Sequence, residues 1–109
     1  MNKLSVLRNK IESGKFPQEF PEFGGANLII TSDQNRRFHE GDVVVYSIHA
    51  PALSWLVTEL KNIYADDLNY LNKYDFYPKI GMIINKTLIN QGLLFETMFQ
   101  IIDQIENEW

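Results

Sequence analysis

The sequence predicts an α+β fold: about three helices packed on a small, three- or four-stranded, largely antiparallel sheet. Three observations lead there. Apolar residues recur every three or four positions near both ends and in the middle of the chain, as they do on the buried face of a helix. Two short blocks, Ala26 to Thr31 and Val43 to Ile48, are rich in β-branched residues and are bounded by polar or turn-forming ones. Between these stretches lie segments whose prolines and glycines forbid a long helix.

Leu4, Leu7 and Ile11 give a first helix over Lys3 to Ser13, and Gly14 follows where a left-handed residue closes a helix. Gly14 to Gly25 holds Pro17 and Pro21, so it reads as a loop. Phe16, Phe20 and Phe23 make that loop an ordered one, because free linkers are poor in aromatics. The two β-branched blocks read as strands of one antiparallel unit, with a tight turn near Glu40-Gly41. Val43 to Ile48 is apolar on both alternating faces, which places it centrally in the sheet.

Pro51 suits the first turn of a second helix, whose apolar face carries Leu53, Leu56, Val57, Leu60, Ile63 and Tyr64. Continued to Tyr74, this helix would put Asp67 inside its apolar arc. Asp66 or Asp67 is therefore expected to cap a second, shorter helix. Lys79 to Asn85, with Ile80, Met82 and Ile84 on one face, gives a third strand. The last helix runs from about Asn90 to Asn107, with an apolar arc of about 160° that implies heavy burial.

The chain has 109 residues, 45% of them hydrophobic and 22% charged, which suits a single domain spanning 1–109. At this length folding buries about two-thirds of the extended surface, so most apolar residues must share one core. With 14 acidic and 10 basic residues the net charge is -4, an unfavourable balance for gripping duplex nucleic acid. The cysteine count of 0 excludes disulfides, thiolate metal sites and a cysteine nucleophile. Neither a membrane span nor a signal peptide is legible, and a cytoplasmic location is expected. Ten Asn, twelve Ile and seven Lys against three Arg match AT-rich coding, as in a low-GC bacterium or its phage.

Asp33 to Asp42 is the densest run of chemically capable side chains. His39, Glu40 and Asp42 offer a general base or metal ligands, and Arg36 with Arg37 offers a grip on a phosphate or small anion. The same residue types are what a solvated connection between strands carries. His39 and His49 do not pair in this reading, because ten extended residues separate them by about 33 Å. His49 instead marks a strand-to-helix junction ahead of Pro51. Asp67 to Asn72 starts like a calcium loop, but Leu71 takes a ligand position, Asn72 replaces the required glycine and Pro78 stands where the final glutamate belongs. No nucleotide, hydrolase or metalloprotease motif is present, and neither a metal nor a cofactor is expected.

Partner binding therefore takes precedence over catalysis. On the second helix Trp55 falls beside Thr58, Glu59, Asn62 and Asp66, nearly opposite the Leu53 and Leu60 face, which predicts an exposed indole unless the Phe16 to Phe23 loop or the last helix covers it. Such a ring among acidic and amide groups is a common anchor of protein interfaces. Trp55, Glu59, Asn62 and Asp66 are thus expected to bind a more basic partner protein, aided by Asp103, Glu106 and Glu108 near the carboxyl end. This describes a small, non-catalytic protein of the inhibitor, immunity or mobile-element accessory type. Two alternatives stand beside it. One is an enzyme or binding domain for an anion, centred on Arg36, Arg37, His39, Glu40 and Asp42. The other is a homodimer joined through the 90–107 helix or a strand edge.

Overall fold

The structure, a computed structural model, describes residues 3–17, 19–25, 27–64, 76–88 and 94–108. Among these residues the chain forms helix α1 (Lys3–Glu12), strands β1 (Phe23–Gly25), β2 (Leu28–Thr31) and β3 (Val43–Tyr46), and helices α2 (Ala50–Ile63), α3 (Phe76–Leu88) and α4 (Leu94–Glu108). The class is α+β as expected, with four helices and a mixed sheet of three strands among the described residues. No helix among the described residues is long and apolar enough to cross a membrane.

α1 follows its periodicity. Leu4, Leu7 and Ile11 are buried, and the chain turns off the helix at Gly14, whose φ of 70° is the left-handed conformation that glycine adopts without strain. The segment beyond it is ordered by its aromatics. Phe16 is buried, and Phe20 and Phe23 pack against the core from its margin. Phe23 to Gly25 also forms β1, where the prolines and glycines of the segment predict only loop. Its first backbone N–H donates to Ser54 Oγ on α2 at 3.1 Å, which ties the short strand to the helix.

The sheet order is β1-β2-β3, with β1 antiparallel to β2 and β3 parallel to it. The antiparallel hairpin expected of the two β-branched blocks is therefore corrected. Val43 lies opposite Leu28 and Tyr46 opposite Thr31, so the polar run between the strands carries the chain back along the sheet. Placement within the sheet is corrected too. β2 is central and buried at every position, whereas β3 is an edge strand whose Tyr46 faces solvent. The apolar character of β3 serves a different purpose from burial on both sides. Val43 and Val45 join Leu28 and Ile30 on the core face, and Asn85 of α3 donates its side-chain amide to the Val44 carbonyl at 3.0 Å.

The third strand expected at Lys79 to Asn85 is helix α3. Phe76, Ile80, Ile83, Ile84 and Thr87 are buried at helical spacing, while Met82 points outward. Ile80, Met82 and Ile84 alternate by coincidence; the residues that matter for packing follow the longer period. Gly81 lets α3 lie directly on the sheet, since a Cβ there would stand 2.5 Å from Leu28 Cδ1 and 2.9 Å from Val43 Cγ1.

α4 bears out the expected burial, with Met98, Ile101, Ile102 and Ile105 fully enclosed. It packs against α1 and α3, and an ion cluster closes the α1 side. Arg8 reaches Asp103 at 2.6 Å and Glu106 at 2.8 Å. The acidic end of the last helix thus finds its cation within the chain. The hydrogen bond to Glu106 is the main influence raising the Arg8 pKa above the ordinary guanidinium value, so the charge is held firmly. The second, shorter helix expected after Asp66 or Asp67 lies outside the described residues, and α2 ends at Ile63 with Tyr64 as its cap.

Candidate functional site

At the carboxyl end of the parallel strand pair the chain changes direction within three residues. The Ser47 backbone N–H donates to Thr31 O at 3.1 Å, extending the ladder by one bond beyond β3. Ala50 N–H then turns back to Ser47 O at 3.1 Å, and Leu53 N–H donates to His49 O at 3.0 Å to open α2. His49 is the residue at the helix cap, as its place before Pro51 predicted, and its own backbone N–H is held by Ser47 Oγ at 3.0 Å. A turn pinned this tightly leaves Ile48 no way back to the core. Its side chain is 85% exposed, beside Tyr46 at 44%.

These two residues stand at the mouth of a cavity of about 450 Å³. Its walls carry Leu53 of α2, Leu88 of α3, and Leu94 and Thr97 of α4, with Ser47 and His49 near the turn. Aliphatic side chains alternate in the lining with polar ones, and among the described residues it holds no Lys, Arg, Asp or Glu. An aliphatic recess with a few hydrogen-bonding groups at its rim and wall has the general make-up of a binding pocket. It also sits beyond the carboxyl ends of parallel strands, a place where α/β sheets commonly receive ligands.

The residues singled out from sequence are distributed differently. Trp55 is buried, with 6% exposure, and this corrects the exposed indole expected there. Phe16 stacks on it with ring centroids 5.6 Å apart and planes 25° from parallel. The helix wheel located Trp55 correctly on the far side of α2 from Leu53 and Leu60. The phenylalanine-bearing loop after α1 supplies a second apolar layer on that side. Glu59 and Asn62 do share a surface, lining a groove of about 320 Å³ between α1 and α2 with Val6, Lys10 and Ile63. Lys10 Nζ stands 3.4 Å from Glu59 Oε2, so that carboxylate is already matched within the chain. Asp66 lies outside the described residues.

The candidate anion cluster is dispersed by its own loop. Arg36 turns to Glu22 at 3.5 Å and lies across Gly24 of β1. Glu22 in turn accepts from Thr31 Oγ1 at 2.8 Å and from the Ser32 backbone at 3.1 Å, anchoring the loop to the end of β2. Asp42 accepts the backbone N–H of His39 at 3.0 Å, and Asp33 accepts that of Asn35 at 2.9 Å. Arg37, His39 and Glu40 point to solvent. The polar side chains therefore fold the connection in preference to converging on a ligand. No cluster of three or more potential metal ligands occurs among the described residues.

Tyr46, Ile48 and Thr97 were not among the residues that sequence reasoning selected. A signal existed for Thr97: it shares a helical face with Leu94 and Ile101, a hydroxyl placed within an apolar arc. Nothing comparable marked Ile48, because the strand pattern continued through it without interruption. No protein family, no curated protein and no solved structure matches the chain.

Proposed function

We propose that this protein acts by binding another protein, without catalysis, and that the mouth of the β3–α2 cavity is its recognition surface. The supporting observation is the juxtaposition of Ile48 and Tyr46, both exposed, with an aliphatic recess directly behind them. A single exposed aliphatic residue needs no explanation. An exposed isoleucine and an exposed tyrosine that both line one cavity make a compact patch, rimmed by polar groups, of the kind interfaces favour. The partner would place an apolar or aromatic side chain in the recess and cover Ile48 with its own surface. A net charge of -4 favours a partner more basic than this chain and accelerates their encounter. The inhibitor, immunity or accessory role belongs to this proposal.

Partner capture with matched variants provides the test. A protein retained by the wild type should be lost, with affinity reduced at least about tenfold, when Ile48→Asp introduces a charge into the buried centre of the contact. Glu59→Lys, on the α1–α2 groove, should leave retention unchanged. A partner that tolerates Ile48→Asp but is released by Glu59→Lys would move the surface to that groove and defeat the proposal.

A further inference from the structure

Among the described residues the interior contains four buried polar ones: Thr31, Ser54, Thr87 and Thr97. Three of them are satisfied. Thr31 Oγ1 donates to Glu22 at 2.8 Å, Ser54 Oγ accepts the Phe23 N–H at 3.1 Å, and Thr87 Oγ1 donates to the Ile83 carbonyl at 2.8 Å. Thr97 is only 4% exposed, yet its hydroxyl has no hydrogen-bond partner among the described residues. It lines the cavity behind Ile48. A buried hydroxyl without a partner carries a desolvation cost that a ligand group can relieve.

We infer that this cavity receives an aromatic side chain tipped with a neutral hydroxyl, the chemistry of a tyrosine presented by the partner protein. The inference rests on the cavity mouth being the recognition surface. Three features select this chemistry. The volume of about 450 Å³ exceeds the roughly 150 Å³ that houses a benzene ring, leaving room for a substituent. Leu53, Leu88 and Leu94 provide aliphatic contact for a ring, and among the described residues no Lys, Arg, Asp or Glu lines the wall to pair with an ionised group. The threonine hydroxyl both donates and accepts, so it can pair with a phenol in either direction. Phenylalanine would fill the same space and leave Thr97 unsatisfied.

The experiment uses the full chain with N-acetyl-L-tyrosinamide and N-acetyl-L-phenylalaninamide as probes, followed through the methyl resonances of Leu53, Leu88, Leu94 and Thr97. The expected result is saturable shifts at these methyls and a preference of about fivefold for the tyrosine probe, the usual net worth of one hydrogen bond. Thr97→Val should abolish the preference while retaining binding of the phenylalanine probe, and Thr97→Ser should keep it. Thermal unfolding of each variant confirms that the fold is intact. The inference is overturned if both probes bind equally to wild type, if neither shifts these methyls, or if Thr97→Val leaves the preference in place. Binding of p-cresol without binding of the tyrosine probe assigns the cavity to a free phenol and equally overturns it. The outcome is separable from that of the recognition surface: probe binding requires no partner, and partner capture with Ile48→Asp requires no phenol.

Discussion

Trp55 and Ile48 flank the first turns of α2 and meet opposite fates. The large aromatic is sealed beneath Phe16, while the aliphatic residue stands 85% exposed. The pattern of each residue's own element points to the opposite fate, and in both the neighbouring loop decides the outcome. Behind α2, Phe16 follows a left-handed glycine and precedes a proline, so the chain leaves α1 extended and lays an aromatic layer over the helix. In front of α2, three backbone bonds close a turn so short that Ile48 cannot reach the sheet. A helix wheel identifies the face that a helix turns to the core. Whether its opposite face stays wet depends on what the connections bring to it.

The strongest change to this contrast is Trp55→Ala. Removing a buried indole stacked on Phe16 should cost about 4 kcal/mol in chemical denaturation, where an exposed tryptophan would cost almost nothing. Phe16→Ala opens the same layer from the loop side. It should cost about 3 kcal/mol and, in a Trp109→Phe background, shift Trp55 emission to the red. The double substitution should cost less than the sum, because the two rings lose the same contact.

Changes elsewhere sharpen the comparison by smaller amounts. Gly81→Ala places a methyl group against Leu28 and Val43 and should cost about 1.5 kcal/mol by thermal unfolding, despite alanine's better helix propensity. Arg8→Ala should cost about 1 kcal/mol, since its pairs with Asp103 and Glu106 are only partly shielded from water. The Arg8 pKa is raised in the folded state, so its contribution is fully present below the ordinary guanidinium value. The loss in Arg8→Ala should therefore stay constant between about pH 6 and about pH 10. Smallest of all, Ile48→Asp should shift stability by less than about 0.5 kcal/mol in denaturant while disrupting partner capture. A large loss of stability there would mean that Ile48 contributes to the core.

Much of the fold was legible in residue spacing. Leu4, Leu7 and Ile11 gave α1 with its Gly14 stop, Pro51 and Leu53 to Leu60 gave α2, and Met98 to Ile105 gave the buried face of α4. α3 is ambiguous in sequence because Ile80 and Ile84 fit both periods, and only Ile83 and Thr87 with the solvent-facing Met82 separate them. The direction of β3 was not legible. A polar connection of this length can close a hairpin or cross back, and its own residue types do not mark which. The candidate cavity was less legible still. Its walls come from three helices and a turn, and the sequence showed only the anomaly of Thr97 in an apolar arc.

The amide of Asn85 caps part of the open edge of the sheet. An outer strand with free carbonyls is a template on which a foreign β-segment can add, and repeated addition is the route to amyloid-like stacking. In this molecule the Val44 carbonyl is already occupied by a side chain from the overlying helix. An invading strand must first break that bond. The asparagine thus raises the cost of strand addition at that carbonyl, with an amide in the place where other edge strands carry a lysine, a proline or a bulge.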